Sequence, residues 1–123
     1  MIDRDCIFCK IAGGDIPSST VYEDEQFRVL LDLSPATKGH ALILPKQHYA
    51  NIFEIDENIL RDLIVLAKKV ASAMKETLNC DGVNIVQNNG EAAGQTVFHF
   101  HMHIIPRYKD DGQVIGWEPH TSD

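Results

Sequence analysis

The chain has 123 residues, 44% hydrophobic and 24% charged, which predicts one globular domain able to fold without disulfides or metal. Its net charge of −7 argues against nonspecific nucleic-acid binding, which needs a basic surface, but leaves room for one small phosphorylated ligand. No apolar run approaches the roughly 18 residues of a membrane span. The N-terminal MIDRDCIFCK also lacks the apolar stretch of a signal peptide, so we expect a cytoplasmic protein without membrane contact.

The first half of the chain predicts short elements separated by glycine and proline. Residues 5–12 (DCIFCKIA) indicate a short N-terminal helix or turn, which Gly13, Gly14 and Pro17 bring to an end. Three strands follow, at residues 19–24, 26–32 and 40–45.

One long amphipathic helix is predicted in the middle of the chain. Apolar residues recur there at spacings of three and four, at Leu60, Leu63, Ile64, Ala67, Val70, Ala71, Met74 and Leu78. Asp56 is the expected N-cap, and Asp81–Gly82 follow the helix end. The pattern is that of a helix packed on a sheet.

Two further strands complete the predicted fold, at residues 82–88 and 96–106, with a glycine-containing loop at 89–95 between them. Strands clustered around one long helix favour an α+β fold with an antiparallel five-stranded sheet, one long helix and a short N-terminal helix. We expect a single domain over residues 1–123, with a core of about 5–108 and a C-terminal tail at 109–123.

The segment FHFHMHI is the most informative stretch of the sequence. Side chains of a strand alternate between its faces, so His99, His101 and His103 are predicted to share one face, roughly 6.7 Å apart at about 3.3 Å per residue. The alternating residues Phe98, Phe100, Met102 and Ile104 would then form the core face. Imidazoles serve as nucleophiles, acids or bases near neutral pH, which suits chemistry at a phosphorus atom.

This row of histidines has two other interpretations. A solvated polar face is the simpler explanation, but three of the six histidines at alternate positions argue against it. A metal site formed by all three is poor geometry, because His99 and His103 would lie about 13 Å apart on an extended strand.

The chain resembles the histidine triad family, and specifically its nucleotide-binding branch. The signature stands here as His99-Phe100-His101-Met102-His103 followed by apolar residues. Further matching segments lie in the same order along most of the chain, as CIFCKI at 6–11, IP at 16–17, the D-x-S-P at 32–35, GHALILPKQH at 39–48 and GQTVFHFHMHIIPR at 94–107. The resemblance implies an α+β homodimer that hydrolyses or transfers nucleoside monophosphates at the α-phosphorus.

Individual roles are implied by the same resemblance. His101 matches the nucleophile that forms a nucleotidyl-histidine intermediate, His103 the residue that binds phosphate and assists the leaving group, and His40 the histidine that supports the triad. The implied phosphate-binding residues are Asn88, Gly94, Gln95, Thr96 and Val97, and the resemblance counts Asn88 with the three histidines among the catalytic residues. Asp32 matches a ribose-binding carboxylate, and the implied apolar base pocket comprises Ile7, Phe8, Ile11, Ile16, Leu30, Leu31 and Leu33.

Cys6-Ile7-Phe8-Cys9 is a C-x-x-C, a motif shared by metal sites and redox proteins. A redox role calls for a preceding strand, which the sequence does not predict. Some bacterial-type family members bind zinc with two such cysteines, a histidine and the first triad histidine. Here the ligands would be Cys6, Cys9, His48 and His99, in a structural tetrahedral site. Two free cysteines remain the alternative.

The resulting hypothesis is a hydrolase of purine nucleoside phosphoramidates or related nucleotidyl substrates. A dinucleoside polyphosphate hydrolase is the enzymatic alternative, although Ile104, Ile105 and Pro106 follow the triad where that branch tends to carry a glutamine. A nucleotide-binding or partner-binding protein with little turnover would share every motif. Nucleotidyl transfer to a sugar phosphate is less favoured, because those relatives are longer.

Overall fold

The computed structural model describes residues 2–121; residues 1, 122 and 123 of the predicted domain lie outside this range. The helices and strands, in chain order, are α1 (Ile7–Ala12), β1 (Thr20–Glu23), β2 (Phe27–Leu31), β3 (Ala41–Pro45), α2 (Glu57–Leu78), β4 (Gly82–Val86) and β5 (Met102–Arg107). A 3₁₀ turn, Glu91–Ala93, lies in the loop between β4 and β5.

The strands form one antiparallel sheet in the order β1-β2-β3-β5-β4. This confirms the predicted α+β fold with five strands, one long helix and a short N-terminal helix. Strand β5 lies between β3 and β4, so it places His103 opposite Leu42 of one neighbour and Val86 of the other.

Helix α2 begins as the sequence predicts. The Asp56 carboxylate accepts hydrogen bonds from the backbone N–H groups of Asn58 and Ile59 at 3.0 and 3.1 Å. These bonds satisfy donors that have no partner within the helix. The buried side chains of the helix face the sheet, and they are Leu63, Leu66, Ala67 and Met74. Burying one such leucine contributes about 1.5–3 kcal/mol.

The two faces of the sheet are covered by different helices. Val29, Ile43 and Ile104 point to the α2 side and belong to the main core. Leu42 and Leu44, which alternate with Ile43, point to the other side and pack with Ala12 of α1 in a second, smaller core. The face that carries His103 is therefore the α1 face.

The last strand is shorter than predicted. Regular pairing begins at Met102, whereas the sequence pattern predicted a strand from residue 96. Pro45 would stand opposite Phe100 if the β3–β5 register continued, but proline has no N–H to donate. The Phe100 N–H instead donates to the Tyr49 carbonyl at 2.6 Å.

The early end of pairing also corrects the predicted core face. Phe100, Met102 and Ile104 are buried in the main core as expected. Phe98 is 47% exposed, because it precedes the paired strand and is not held to its alternation.

Gly39 turns the chain into β3 and so sets the position of His40. Its φ of 94° lies in the left-handed region, and a Cβ there would come within 2.5 Å of Leu78 Cδ1. Within residues 2–121, no helix combines the length and the hydropathy needed to cross a membrane.

Candidate functional site

His40, His103 and Asp32 form one cluster on the α1 face. The Ala36 N–H donates to His40 Nδ1 at 2.9 Å, so the proton of a neutral His40 ring lies on Nε2. That Nε2–H donates to His103 Nδ1 at 2.9 Å. The proton of a neutral His103 ring must then lie on its Nε2. An Asp32 carboxylate oxygen lies 3.5 Å from His40 Nε2 and 3.9 Å from His103 Nδ1.

His101 is oriented by its own backbone and by α1. Its Nδ1 donates to the carbonyl oxygen of His99 at 2.8 Å, which leaves Nε2 with a free lone pair. Phe8 packs edge-on against the ring, with centroids 5.0 Å apart and an interplanar angle of 88°. The ring of His103 lies 5.2 Å from that of His101. The two imidazoles therefore lie next to each other on the α1 face.

Burial keeps these rings neutral. It lowers the pKa of His101, with a smaller opposing effect from the hydrogen bond to His99. It also lowers the pKa of His103 to about 4, helped by the neighbouring His101 and His40. Burial likewise lowers the pKa of His40, which the Asp32 carboxylate partly opposes. At neutral pH the rings offer lone pairs and N–H donors at fixed positions.

Cys6, Cys9, His48 and His99 form a second cluster. Their four potential ligand atoms all lie within 4.8 Å of one another. His99 Nδ1 lies 3.4 Å from Cys6 Sγ and 3.3 Å from Cys9 Sγ, and His48 Nδ1 lies 3.3 Å from Cys9 Sγ. The structure thus brings together the four residues that the sequence singled out as metal ligands.

The donor chemistry of this cluster fits zinc. His99 Nε2 donates to the Pro45 carbonyl at 2.7 Å, so Nδ1 directs its lone pair at the two sulfur atoms. Burial lowers the pKa of His99 to about 4 and raises the pKa of the Cys9 thiol. A bound metal ion would lower the pKa of the Cys9 thiol again, because it binds and stabilises the thiolate. Two sulfurs and two imidazole nitrogens are a tetrahedral zinc ligand set.

His99 connects the cluster of Cys6, Cys9 and His48 to His101. Its ring lies among the cysteines, while its carbonyl oxygen holds Nδ1 of His101. Phe8 contributes a second link, because it contacts both imidazoles from a helix whose N-cap is Cys6. The position of His101 therefore depends on the residues around the metal-type cluster.

The predicted phosphate-binding loop lies between β4 and β5. Asn88 is half-buried near Gly94, where an added Cβ would lie 3.5 Å from the Asn88 amide nitrogen. Thr96 is exposed and Val97 is half-buried. The side chain of Gln95 is buried and bonds backbone groups at Gly90, Ala50 and Val97. Its predicted nucleotide contact therefore requires the main chain rather than the side chain.

The apolar residues predicted for the base pocket divide between the two sheet faces. Phe8, Ile11 and Leu30 pack together on the α1 face, beside the histidines. Ile7 and Leu33 are exposed, at 52% and 91%. Ile16 is half-buried, outside both of these groups.

Leu31 is the member of that set that the structure places elsewhere. It stands opposite Ala41, which belongs to the main core, and it lines a groove of about 860 Å³ between α2 and the sheet. Adjacent strand residues face opposite ways, so Leu30 reaches the histidine face and Leu31 does not. A contact between Leu31 and the base would therefore require its main chain rather than its side chain.

Two features of the site go beyond the sequence prediction. The resemblance implies a ribose contact for Asp32, and in the structure its carboxylate also lies beside His40 and His103. The signal was available in the predicted hairpin, which brings residue 32 next to residue 40. The side-chain bond of Asn89 to the Ile52 N–H had no sequence signal, because the two residues are joined only in three dimensions.

A family model described as the HIT domain matches residues 13–110 of the chain. A protein named Protein hit from Bacillus subtilis is 48% identical over 98% of this chain and 83% of its own length. An adenosine 5′-monophosphoramidase of Saccharomyces cerevisiae is 42% identical over 99% of this chain and 75% of its own length. These findings confirm the histidine triad resemblance.

Solved structures agree with this assignment. A HIT family protein from Bacillus anthracis superposes with a TM-score of 0.89 at 47% identity, over 98% of this chain and 85% of the other. A zinc-bound histidine triad family protein from Mycobacterium smegmatis has a TM-score of 0.85 at 39% identity, over 94% of this chain and 84% of the other.

Proposed function

The chain belongs to the HIT domain family, and on that basis we propose that it hydrolyses purine nucleoside phosphoramidates or related nucleotidyl substrates at the α-phosphorus. The observation that carries the proposal is the hydrogen bond from His101 Nδ1 to the His99 carbonyl, which leaves Nε2 of a neutral imidazole free to attack. The adenosine 5′-monophosphoramidase relative supports the substrate class.

In the first step, His101 Nε2 attacks the α-phosphorus and the bond from phosphorus to the leaving group breaks. The product is a nucleotidyl-histidine, and the hard displacement is divided into two easier ones. Burial favours this step because it keeps His101 unprotonated at neutral pH.

His103 is the proton donor for the leaving group. Its Nδ1 is occupied by the N–H of His40, so its Nε2 faces the reaction with a proton. The negative charge of a bound phosphate raises the pKa of His103 and opposes the effect of burial. Substrate binding thus favours the protonated ring, in which the added Nδ1–H and the neighbouring His40 Nε2–H both turn to the Asp32 carboxylate, which lies 3.9 and 3.5 Å away. The Nε2–H of this ring goes to the departing amine, and the ring is left neutral with a lone pair on Nε2. Water then attacks the nucleotidyl-histidine, His103 takes a proton from it, and the monophosphate leaves.

The remaining predicted residues bind the nucleotide. Asp32 accepts the ribose hydroxyls with the carboxylate that also borders His40. Phe8, Ile11 and Leu30 provide the apolar surface for the base, and the exposed Ile7 and Leu33 and the half-buried Ile16 complete it. Asn88, Thr96 and the backbone of Gly94, Gln95 and Val97 surround the phosphate.

The test is incubation with adenosine 5′-phosphoramidate, following release of the monophosphate. We expect turnover by the unchanged protein. In His101→Ala, kcat should fall at least about 1,000-fold, since loss of a catalytic nucleophile costs roughly 10³–10⁶ in kcat. His120→Ala, a matched control at an exposed tail histidine, should leave kcat unchanged. Turnover that survives in His101→Ala would contradict the assigned nucleophile.

A substrate panel separates the neighbouring activities. Phosphoramidates, acyl adenylates and dinucleoside polyphosphates are compared at equal concentration, and the phosphoramidates are expected to give the highest kcat/KM. Faster cleavage of dinucleoside polyphosphates would favour that alternative. Tight monophosphate binding in calorimetry with negligible turnover of the whole panel would favour a binding protein.

Cys6, Cys9, His48 and His99 are proposed to hold a structural zinc ion. The ion would fasten α1 to the sheet and fix the ring of His99, and it takes no part in the chemistry. Metal analysis of the purified protein is expected to give about one zinc per chain, as a closed four-ligand site requires. Cys6→Ser should lose most of it. Absence of metal from the unchanged protein would remove this proposal.

A homodimer is proposed as the assembly. Strand β4 is an edge of the sheet, and its Ile85 is 48% exposed. Ile64 of α2 is also 48% exposed, and together with Ile85 it lines a second groove, between α2 and β4. Unpaired edges and apolar surface favour pairing with another copy. Sedimentation equilibrium should give a dimer that Ile85→Lys weakens and that Val114→Lys, an exposed tail control, leaves intact. A monomeric unchanged protein would overturn the proposal.

A further inference from the structure

We propose that Asn89 and Gln95 are positioning residues that fasten the loop 88–97 to the segment 49–52. This inference rests on the proposed function, in which the same loop binds the substrate phosphate. The two side chains would fix the loop backbone at the distance from His101 and His103 that the reaction needs.

Gln95 holds the loop from inside. Its side chain is only 3% exposed, and its amide oxygen accepts the N–H of Gly90 at 2.8 Å. Its amide nitrogen donates to the carbonyls of Ala50 at 2.6 Å and Val97 at 3.0 Å. The main-chain N–H of Gln95 also donates to the Gly90 carbonyl at 3.0 Å. One side chain therefore closes the loop on itself and ties it to the segment 49–52.

Asn89 attaches the start of the loop to the same segment. Its Oδ1 accepts the N–H of Ile52 at 2.7 Å and the side-chain amide of Gln87 at 3.0 Å. The Asn89 amide nitrogen in turn donates to the Gln87 side-chain oxygen. Asn89 and Gln95 thus anchor the loop at two separated points.

The loop needs such anchors because its backbone has few other constraints. Gly90 and Gly94 adopt φ values of 92° and 96°, which glycine reaches at a cost in conformational entropy. Regular pairing resumes only at Met102, so no strand ladder holds residues 96–101. Side-chain bonds therefore take over the role that sheet pairing would have had.

The segment 49–52 is a suitable anchor because it is itself fixed. It follows His48, a member of the Cys6, Cys9, His48 and His99 cluster. The Tyr49 carbonyl accepts the N–H of Phe100 at 2.6 Å, directly beside His101. One short segment is thus bonded both to the loop and to the backbone of the histidine segment, so it sets their relative position.

Gln95→Glu is the most direct test. The substitution keeps the shape of the side chain but turns a carboxylate oxygen toward the carbonyls of Ala50 and Val97. A displacement of about 1 Å near a reacting group costs up to roughly 100-fold. We expect the Kd for adenosine monophosphate to rise by about 10-fold or more and kcat to fall by roughly 10- to 100-fold. Gln113→Glu, in the exposed tail, makes the same charge change and should alter neither by more than about twofold.

Amide hydrogen exchange provides the readout that does not depend on activity. Gln95→Glu should speed exchange at Gly90 by about tenfold or more, because repulsion from the carbonyls of Ala50 and Val97 moves the carboxylate away from the Gly90 N–H, while the amides of α2 keep their protection. Asn89→Ala removes a single anchor and should speed exchange at Ile52 in the same way, so it serves if Gln95→Glu fails to fold.

The outcomes separate the two proposals. Unchanged exchange at Gly90 and Ile52 in both variants, or nucleotide affinity equal to that of Gln113→Glu, would overturn the anchoring role. Failure of the unchanged protein to bind adenosine monophosphate or to cleave the phosphoramidate would instead overturn the proposed function, and the exchange data would still decide whether the anchors hold the loop.

Discussion

His40 performs two tasks with two different nitrogen atoms, and substitutions can remove them one at a time. Nδ1 accepts the Ala36 N–H, and this bond stabilises the fold. The Nε2–H donates to His103 Nδ1, and this bond fixes the tautomer that His103 needs for catalysis. An asparagine oxygen takes nearly the place of Nδ1, and a glutamine amide nitrogen nearly that of Nε2. We predict that His40→Asn loses activity and keeps stability, while His40→Gln does the reverse.

The magnitudes follow from burial. His40 is only 6% exposed, so in His40→Gln water cannot replace the lost acceptor and the Ala36 N–H is left unsatisfied. That costs about 1–3 kcal/mol of unfolding free energy, or roughly 4–12 °C in Tm for a chain of this size. In His40→Asn, His103 loses the donor that fixes its tautomer, and kcat should fall by about 10- to 100-fold.

The assays are thermal unfolding and phosphoramidate turnover, carried out on the same preparations. His40→Ala removes both groups and should show both losses. Parallel losses of Tm and kcat in the asparagine and glutamine variants would refute the division between the two nitrogens. So would a fully active His40→Asn.

Three further predictions concern pH, packing at the site and the core. The pKa of His103 is lowered to about 4 from an unfolded value of about 6.5, so the unfolded chain binds more protons between these values and stability is lost as pH falls through that window. Between pH 7 and pH 5 this amounts to about 2 kcal/mol, and denaturant titrations should show a smaller loss for His103→Asn. Phe8→Leu removes the aromatic edge from His101 and should lower both kcat, a few-fold, and unfolding free energy, by about 1 kcal/mol; unchanged kinetics would show that the contact does not orient the ring. Leu63→Ala should cost about 2–5 kcal/mol in denaturant unfolding, because the residue is fully buried, against less than about 1 kcal/mol for Val65→Ala at a 54% exposed position of the same helix.

Features with local causes were predictable from the sequence. The apolar spacing and the Asp56 cap specified α2, since a helix makes its hydrogen bonds within a few residues. Glycine and proline marked most of the turns between strands. The order of matching motifs identified the family, and with it the cysteines and histidines that the fold later brings together.

Features that depend on pairing between distant segments were decided by the tertiary structure. The strand pattern predicted a strand from residue 96, but a strand exists only where a neighbour offers hydrogen bonds, and pairing begins at Met102. For the same reason Phe98 left the core. Register likewise separated Leu30 from Leu31, since one position along a strand decides which face of the sheet a side chain reaches.

Histidines 99, 101 and 103 show the same division most clearly. The sequence by itself determined that three imidazoles alternate along a short stretch and that His40 and Asp32 accompany them. Only the tertiary structure decided that the ring of His99 lies against Cys6 and Cys9, while the carbonyl of His99 accepts a hydrogen bond from His101. It also decided that His103 is bonded to His40. The physical reason is that a hydrogen bond fixes which nitrogen of an imidazole carries the proton, and the partners that form those bonds come from segments that are far apart in the sequence.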